Sequence, residues 1–204
     1  MPNLSDYEES TIVPRIALQL PVELPIPDGF DPESPETWPR VEGRLEHIGG
    51  RLLYMPPCAD EHGRVVTGVV AELALWQRRH PEFVVGTNEV GVQLGGDTRG
   101  LDAAVWLASA LGAPRHAFSR VPPALAVEVA GRDDSVDALR EKARWYLAHG
   151  VGAVWILVPG SRSALVVTRE GEREVEPGGR LPAHPSLPGL EPCLSEVFRQ
   201  LDAR

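Results

Sequence analysis

Two cysteines, Cys58 and Cys193, are all that 204 residues contain. Neither sits in a Cys-x-x-Cys pair, so nothing suggests a disulfide framework, structural zinc or thiol redox work, and both are expected to be reduced. No stretch approaches the roughly eighteen apolar residues that a bilayer requires. The first residues, Met1 to Glu9, lack the basic and apolar regions of a signal peptide, so a cytoplasmic protein is expected. A glycine-rich nucleotide loop, a Ser-His-Asp arrangement and a Cys/His metal cluster are missing too, and Gly95-Gly96 and Gly178-Gly179 read as turns. Positive charge is in deficit, with 20 basic against 29 acidic residues and a formal charge of −9. That balance weighs against nucleic acid as a partner, because phosphate neutralisation supplies most non-specific affinity. The deficit is uneven, however. Residues 1–40 hold eight acidic and two basic side chains, which leaves the remainder only mildly acidic. A bound divalent cation would offset more of it.

A hydrophobic content of 43% supports a sizeable core in one domain. Residues 1–40 carry Pro14, Pro21, Pro25, Pro27, Pro32, Pro35 and Pro39 without sustained periodicity. They read as an acidic, proline-rich arm before a compact domain over 41–204, with Ile16 to Leu20 able to pack as a strand. Arg44–Ile48 and Arg51–Met55 flank Gly49-Gly50, which suits a hairpin. Val65, Val66, Val69, Val70, Leu73 and Trp76 recur at helical spacing within Glu61–Arg79. Strands are expected at Phe83–Val85, Val90–Leu94, Asp102–Leu107 and Ala124–Val129. A second helix should begin after Asp133-Asp134-Ser135 and stop at Gly150, with an apolar stripe of Val136, Leu139, Ala143, Tyr146 and Leu147. Val154–Val158 and Ala164–Thr168 read as an antiparallel pair, and a short helix from about Cys193 to Leu201 closes the chain. Trp76, Trp145 and Trp155 fit core packing better than base stacking. The class is α/β (α+β).

One residue breaks this pattern. Glu128 interrupts the apolar run Ala124-Leu125-Ala126-Val127-Glu128-Val129-Ala130, where an ionised, unpaired carboxylate would cost several kcal/mol, so a metal ion or another cation is expected beside it. Strand alternation puts Glu128 on one face with the small Ala126 and Ala130. Asp102 opens a second apolar run and shares a face with Ala104 and Trp106, so the two acids can meet if their strands are neighbours. Lys142 lies on the flank of the second helix's apolar stripe. Two carboxylates suffice for Mg²⁺, or Mn²⁺, which fills its shell with water. The metal would activate water and stabilise charge on a phosphoryl oxygen, with the ammonium alongside. The structural alternatives are a salt bridge from Glu128 to an arginine, a capping role for Asp102 and a solvated helix lysine at 142.

The combination resembles the PD-(D/E)xK nuclease superfamily, and the wider pattern is similar to the Uma-two family of "putative restriction endonucleases". The landmarks are Leu45-Glu46-His47-Ile48-Gly49-Gly50-Arg51-Leu52, Met55-Pro56-Pro57, His62-Gly63, Asn88-Glu89-Val90-Gly91-Val92-Gln93-Leu94, Arg99-Gly100-Leu101-Asp102, Pro123 to Val129, and Arg140 to Val151. The resemblance implies a restriction-endonuclease-like core, a mixed central sheet flanked by helices after an N-terminal β-hairpin. It implies metal ligation by Asp102 and Glu128, an active-site lysine at Lys142 moved from strand to helix, and further site acids at Glu89 and Glu46. His62 also matches, but a histidine in a helix's first turn reads as structural and is left outside the site. Leu101 stands in place of proline, Ala130 in place of the strand lysine and Gly49 in place of the hairpin aspartate. The function implied is Mg-dependent endonucleolytic hydrolysis of DNA, with Arg99, Arg132, Arg140 and Arg144 as candidate phosphate contacts. A non-catalytic nuclease-fold binding module is the alternative, and a metal enzyme for another substrate a third. A homodimer is compatible with either.

Overall fold

The computed structural model describes residues 20–113, 116–132 and 134–203, except the side chains of Asn88 and Glu89. Of the stretch expected to pack as a strand, only Leu20 falls among them. The chain runs β1 (Val22–Leu24), β2 (Arg44–Ile48), β3 (Arg51–Met55), α1 (Asp60–Gln77), β4 (Phe83–Leu94), β5 (Asp97–Leu107), α2 (Ala108–Leu111), β6 (Leu125–Val129), α3 (Val136–Ala148), β7 (Ala153–Val158), β8 (Ser163–Thr168), β9 (Gly171–Val175) and α4 (Leu194–Val197). Three-residue β1, from the proline-rich stretch, pairs with β3, so this part of the arm belongs to the sheet.

The nine strands form one mixed sheet in the order β1-β3-β2-β5-β6-β7-β8-β9, with β4 on β5. Among the described strands only β6 and β7 pair in parallel, joined by α3 as their crossover. Strand alternation divides the core in two. Leu125, Val127, Val129, Trp155 and Leu157 point to the α1 and α4 side, where Val65, Val69, Leu73 and Val197 meet them. Ala126, Val154 and Ile156 point to the other face, against Leu139, Ala143 and Tyr146 of α3. Each fully buried Val or Leu contributes about 2 kcal/mol of transfer free energy, which holds both helical layers to the sheet. Trp76 and Trp155 are core residues as expected, each 2% exposed.

Local chemistry explains the boundaries. Gly49 and Gly50 take the positive φ that a tight hairpin turn requires. Ser135 caps α3 by accepting from the Ala138 N–H, and Gly150, at φ 94°, follows its end. The two short strands expected around Phe83 and Val90 are one strand, β4, with a bulge between Thr87 and Val90. The expected C-terminal helix is a four-residue α4 followed by a 3₁₀ turn at Arg199–Asp202.

The sheet forks at β5. One edge of this eleven-residue strand is taken along its length by β4. The opposite edge is shared, with β2 at Thr98 and β6 from Ala103 to Val105. Residues 99 to 102 cross the notch between these two partners, and the candidate site forms there.

Candidate active site

The notch leaves backbone groups of two strands without ladder partners, and carboxylates replace them. Glu46, on β2, accepts the Gly100 N–H of β5 at 3.0 Å. Asp102, on β5, accepts the Val129 N–H of β6 at 2.7 Å through Oδ2. Continuing the register one step beyond the bonded pair Ala103 and Val127 sets Asp102 opposite Glu128. The expected meeting of the two strands is therefore borne out. Glu46, Asp102 and Glu128 are only 4%, 3% and 3% exposed.

The two central acids take their other partners from opposite helical layers. Oδ1 of Asp102 lies 3.0 Å from His62 Nε2, which α1 presents from its first turn. Glu128 is held by α3, with Lys142 Nζ donating to Oε2 at 2.9 Å and the Tyr146 hydroxyl donating to Oε1 at 2.8 Å. Lys142 also approaches Oε1 of Glu46 at 3.7 Å, as does Arg44 Nε. Lys142 and Tyr146 are one turn apart, so one helical face reaches a single carboxylate twice.

Burial and pairing then push the two acids in opposite directions. Burial raises the Asp102 carboxyl, but the hydrogen bond and charge of His62, the Val129 N–H and Lys142 outweigh it and hold the value below 3.8. At Glu128 burial prevails, helped by the Asp102 charge, and the value lies above 4.5 despite Lys142 and Arg44. Burial would lower Lys142, yet Glu128 and Glu46 raise it, so it stays an ammonium. His62 is raised by its bond to Asp102 against the effect of burial, which favours imidazolium. Tyr146 is raised well above 10 by burial and then by the two glutamates, so its hydroxyl remains a donor.

Of the expected residues, Asp102, Glu128, Lys142 and Glu46 come together. Glu89 lies in the β4 bulge, on the stretch facing Asp102, but its side chain is outside the described residues. Lys142 stands in helix α3 while Ala130 follows β6, the arrangement expected from the displaced lysine. His62, set aside as structural, contacts Asp102, and Tyr146, read as core, contacts Glu128. The arginines are less involved. Arg140 and Arg144 pair with Glu172, and Arg99 pairs with Asp97 and lies 4.0 Å over the Trp145 ring.

The donor set suits a hard divalent cation. Each oxygen of Asp102 and Glu128 has one protein donor in these contacts, and an ionised carboxylate offers about four acceptor positions. A cation would also relieve the penalty that burial and Asp102 place on ionised Glu128. Among the described residues no group of three or more His, Cys, Asp and Glu is placed to hold a metal ion; an ion held by these two carboxylates would take the rest of its shell from water. A cleft of about 560 Å³ between α1 and the C-terminal segment, lined by Trp76, Arg79, Arg180 and Cys193, is separate from these acids.

Comparison with known proteins agrees with this architecture. No curated protein matches the chain. Among similar solved structures is a crystal structure from Anabaena variabilis ATCC 29413, described as "a putative nuclease belonging to DUF820". It is 17% identical with a TM-score of 0.72, covering 81% of this chain and 96% of that one, and at this identity the likeness concerns the fold. The profile of the Uma2 family, described as "Putative restriction endonuclease", matches residues 32–199. A match of that length places the chain in the Uma2 family.

Proposed function

We propose that the protein is a metal-dependent endonuclease that hydrolyses phosphodiester bonds of DNA. The observation that carries this reading is the meeting of Asp102 and Glu128 across the β5–β6 register, with Lys142 2.9 Å from Glu128. Asp102 and Glu128 would hold Mg²⁺ or Mn²⁺, which when bound supplies an activated water and neutralises charge on the phosphoryl oxygens. Lys142 and Tyr146 fix the plane of the Glu128 carboxylate, and His62 with the Val129 N–H fixes that of Asp102. Such support keeps ligand oxygens oriented before the substrate arrives. The ammonium of Lys142 also limits the repulsion between Glu128 and Glu46.

The test is cleavage of supercoiled plasmid by purified protein with Mg²⁺ or Mn²⁺. Glu128→Ala is expected to lower the rate by about 1000-fold, the scale of losing a preorganised electrostatic group. Unchanged cleavage in that variant would exclude the assignment. One feature favours a second reading, a non-catalytic binding module, since every oxygen of Asp102 and Glu128 already has a protein donor. Calorimetry separates the two, because a binding module would take up neither ion at millimolar concentration. A cytoplasmic location and a homodimer remain part of the proposal. Among the described residues no helix is long and apolar enough to cross a membrane.

A further inference from the structure

The acids of the site are recessed. Side chains of Glu46, Asp102 and Glu128 are 5%, 3% and 4% exposed, whereas those of Arg44, His62 and Lys142 are 18%, 17% and 15% exposed. Glu46 and Asp102 also accept the Gly100 and Val129 N–H groups in the gap of the ladder, which sets their carboxylates at the level of the sheet itself. A scissile phosphate therefore has to descend past the cations to reach them. Those cations are already engaged. Lys142 donates to Glu128 at 2.9 Å, His62 lies 3.0 Å from Asp102, and Arg44 lies 3.7 Å from Glu46 and donates to the Met55 thioether. Turning any of them outward to hold a long charged backbone would take a cation from a buried carboxylate.

The approach to the site carries the opposite sign. His62 stands in the first turn of α1, and it feels the charge of Asp134, in the turn that leads into α3, so both helices begin beside the site. At each start an ion pair has its acid outermost. The Asp60 side chain is 80% exposed against 39% for Arg64, and that of Asp137 is 90% exposed against 34% for Arg140. Glu61 and Asp134 are exposed as well. An acidic collar thus flanks the entrance, in a chain whose overall charge is −9.

Intact duplex DNA fits such an entrance poorly. It carries one charge per about 1.7 Å of axis and resists bending over about 150 base pairs, so it brings many phosphates against the collar before one of them reaches the floor. A single strand is flexible and can lower one phosphodiester into the recess while its neighbours point away. We propose that the substrate of this site is single-stranded DNA, including unpaired stretches within longer duplexes. This deepens the nuclease reading and rests on it. The hydrolysis is the same in either strand form: the oxygen of water bonds to phosphorus, the bond to the leaving sugar oxygen breaks, and that oxygen gains the proton that water releases.

The experiment incubates the full chain and Mn²⁺ with fluorescein-labelled DNA of one sequence, presented as a single strand, as a blunt duplex and as a duplex with a single-stranded tail. Glu128→Ala is the control for cleavage at this site. The single strand is expected to be cut about a hundredfold faster than the blunt duplex, because paired DNA must first unpair and unstack to lower a phosphate into the recess. On the tailed duplex the cuts should fall in the tail. Negative supercoiling opens a duplex locally, so a relaxed closed plasmid should be nicked more slowly than its supercoiled form. A blunt duplex cut as fast as the single strand, or faster, would overturn the proposal and leave the nuclease reading standing. Cuts inside the paired part of the tailed duplex would do the same. No cleavage of any substrate, or cleavage that persists in Glu128→Ala, would overturn the nuclease reading and this inference with it.

Discussion

Asp102 and Glu128 are two buried carboxylates one ladder step past the same strand pairing, yet one is easier to ionise than an ordinary carboxyl and the other harder. Burial penalises the ionised form of both, each 3% exposed; it prevails at Glu128, whereas the partners of Asp102 outweigh it. Asp102 receives a backbone N–H and an imidazole from the α1 layer, while Glu128 receives an ammonium and a neutral hydroxyl from the α3 layer and carries the repulsion of Asp102 as well. Asp102 is thus a ready-made anion, and Glu128 is the acid that gains most from an added cation.

The largest break in this comparison is Glu128→Ala, with its expected loss of about three orders of magnitude in cleavage. Next is Lys142→Met, which leaves Glu128 buried without its ammonium and should cost about 3 kcal/mol in urea denaturation at neutral pH. That cost should shrink as the pH falls and Glu128, with its raised value, takes up a proton. The double variant Glu128→Gln with Lys142→Met should recover most of it. Tyr146→Phe removes one donor without altering charge or shape, and should cost about 1–2 kcal/mol while weakening Mn²⁺ binding measured by calorimetry.

His62→Ala tests the other acid, and its effect should depend on pH. The His62 value is raised, so its contribution is complete below 6.5 and fades as the pH climbs through the raised value. The Asp102 value is lowered, so its contribution is present above 3.8 and fades as the pH drops through the lowered value. The difference between wild type and variant, about 1 kcal/mol, should therefore peak between these limits and decline on both sides. A peak in alkaline solution would contradict the pairing. The smallest effect is expected for Arg144→Ala, which removes an ion pair from a side chain 63% exposed and should leave the unfolding midpoint unchanged.

Glu128 was legible in sequence because a charge inside an apolar strand run is costly in any fold. Lys142 was legible from helical periodicity, and a plainer signal accompanies it: it is the sole lysine among 20 basic residues. Tyr146 was hidden, since a tyrosine on an apolar stripe reads as core until its hydroxyl is followed to a partner. Glu46 joins the cluster through the fork at β5, which depends on β2 meeting Thr98. Registry between strands some fifty residues apart has no local signature. The strand β9 escaped notice because four of its five residues are exposed and no alternation marks it. The hairpin, by contrast, was fixed by its two glycines, and α3 by its serine cap.

The fork also ties the chemistry to the integrity of the sheet. Glu46 and Asp102 stand in for main-chain carbonyls, so replacing either with alanine would orphan an amide of Gly100 or Val129 as well as delete an acid. Loss of stability and loss of turnover would then arrive together and be mistaken for one another. Asparagine at 102 and glutamine at 46, which preserve an oxygen in the same place, are the substitutions that separate them. Under the proposed endonuclease reading, the amide versions of these two side chains would be the gentlest way to remove the acids while keeping the sheet intact.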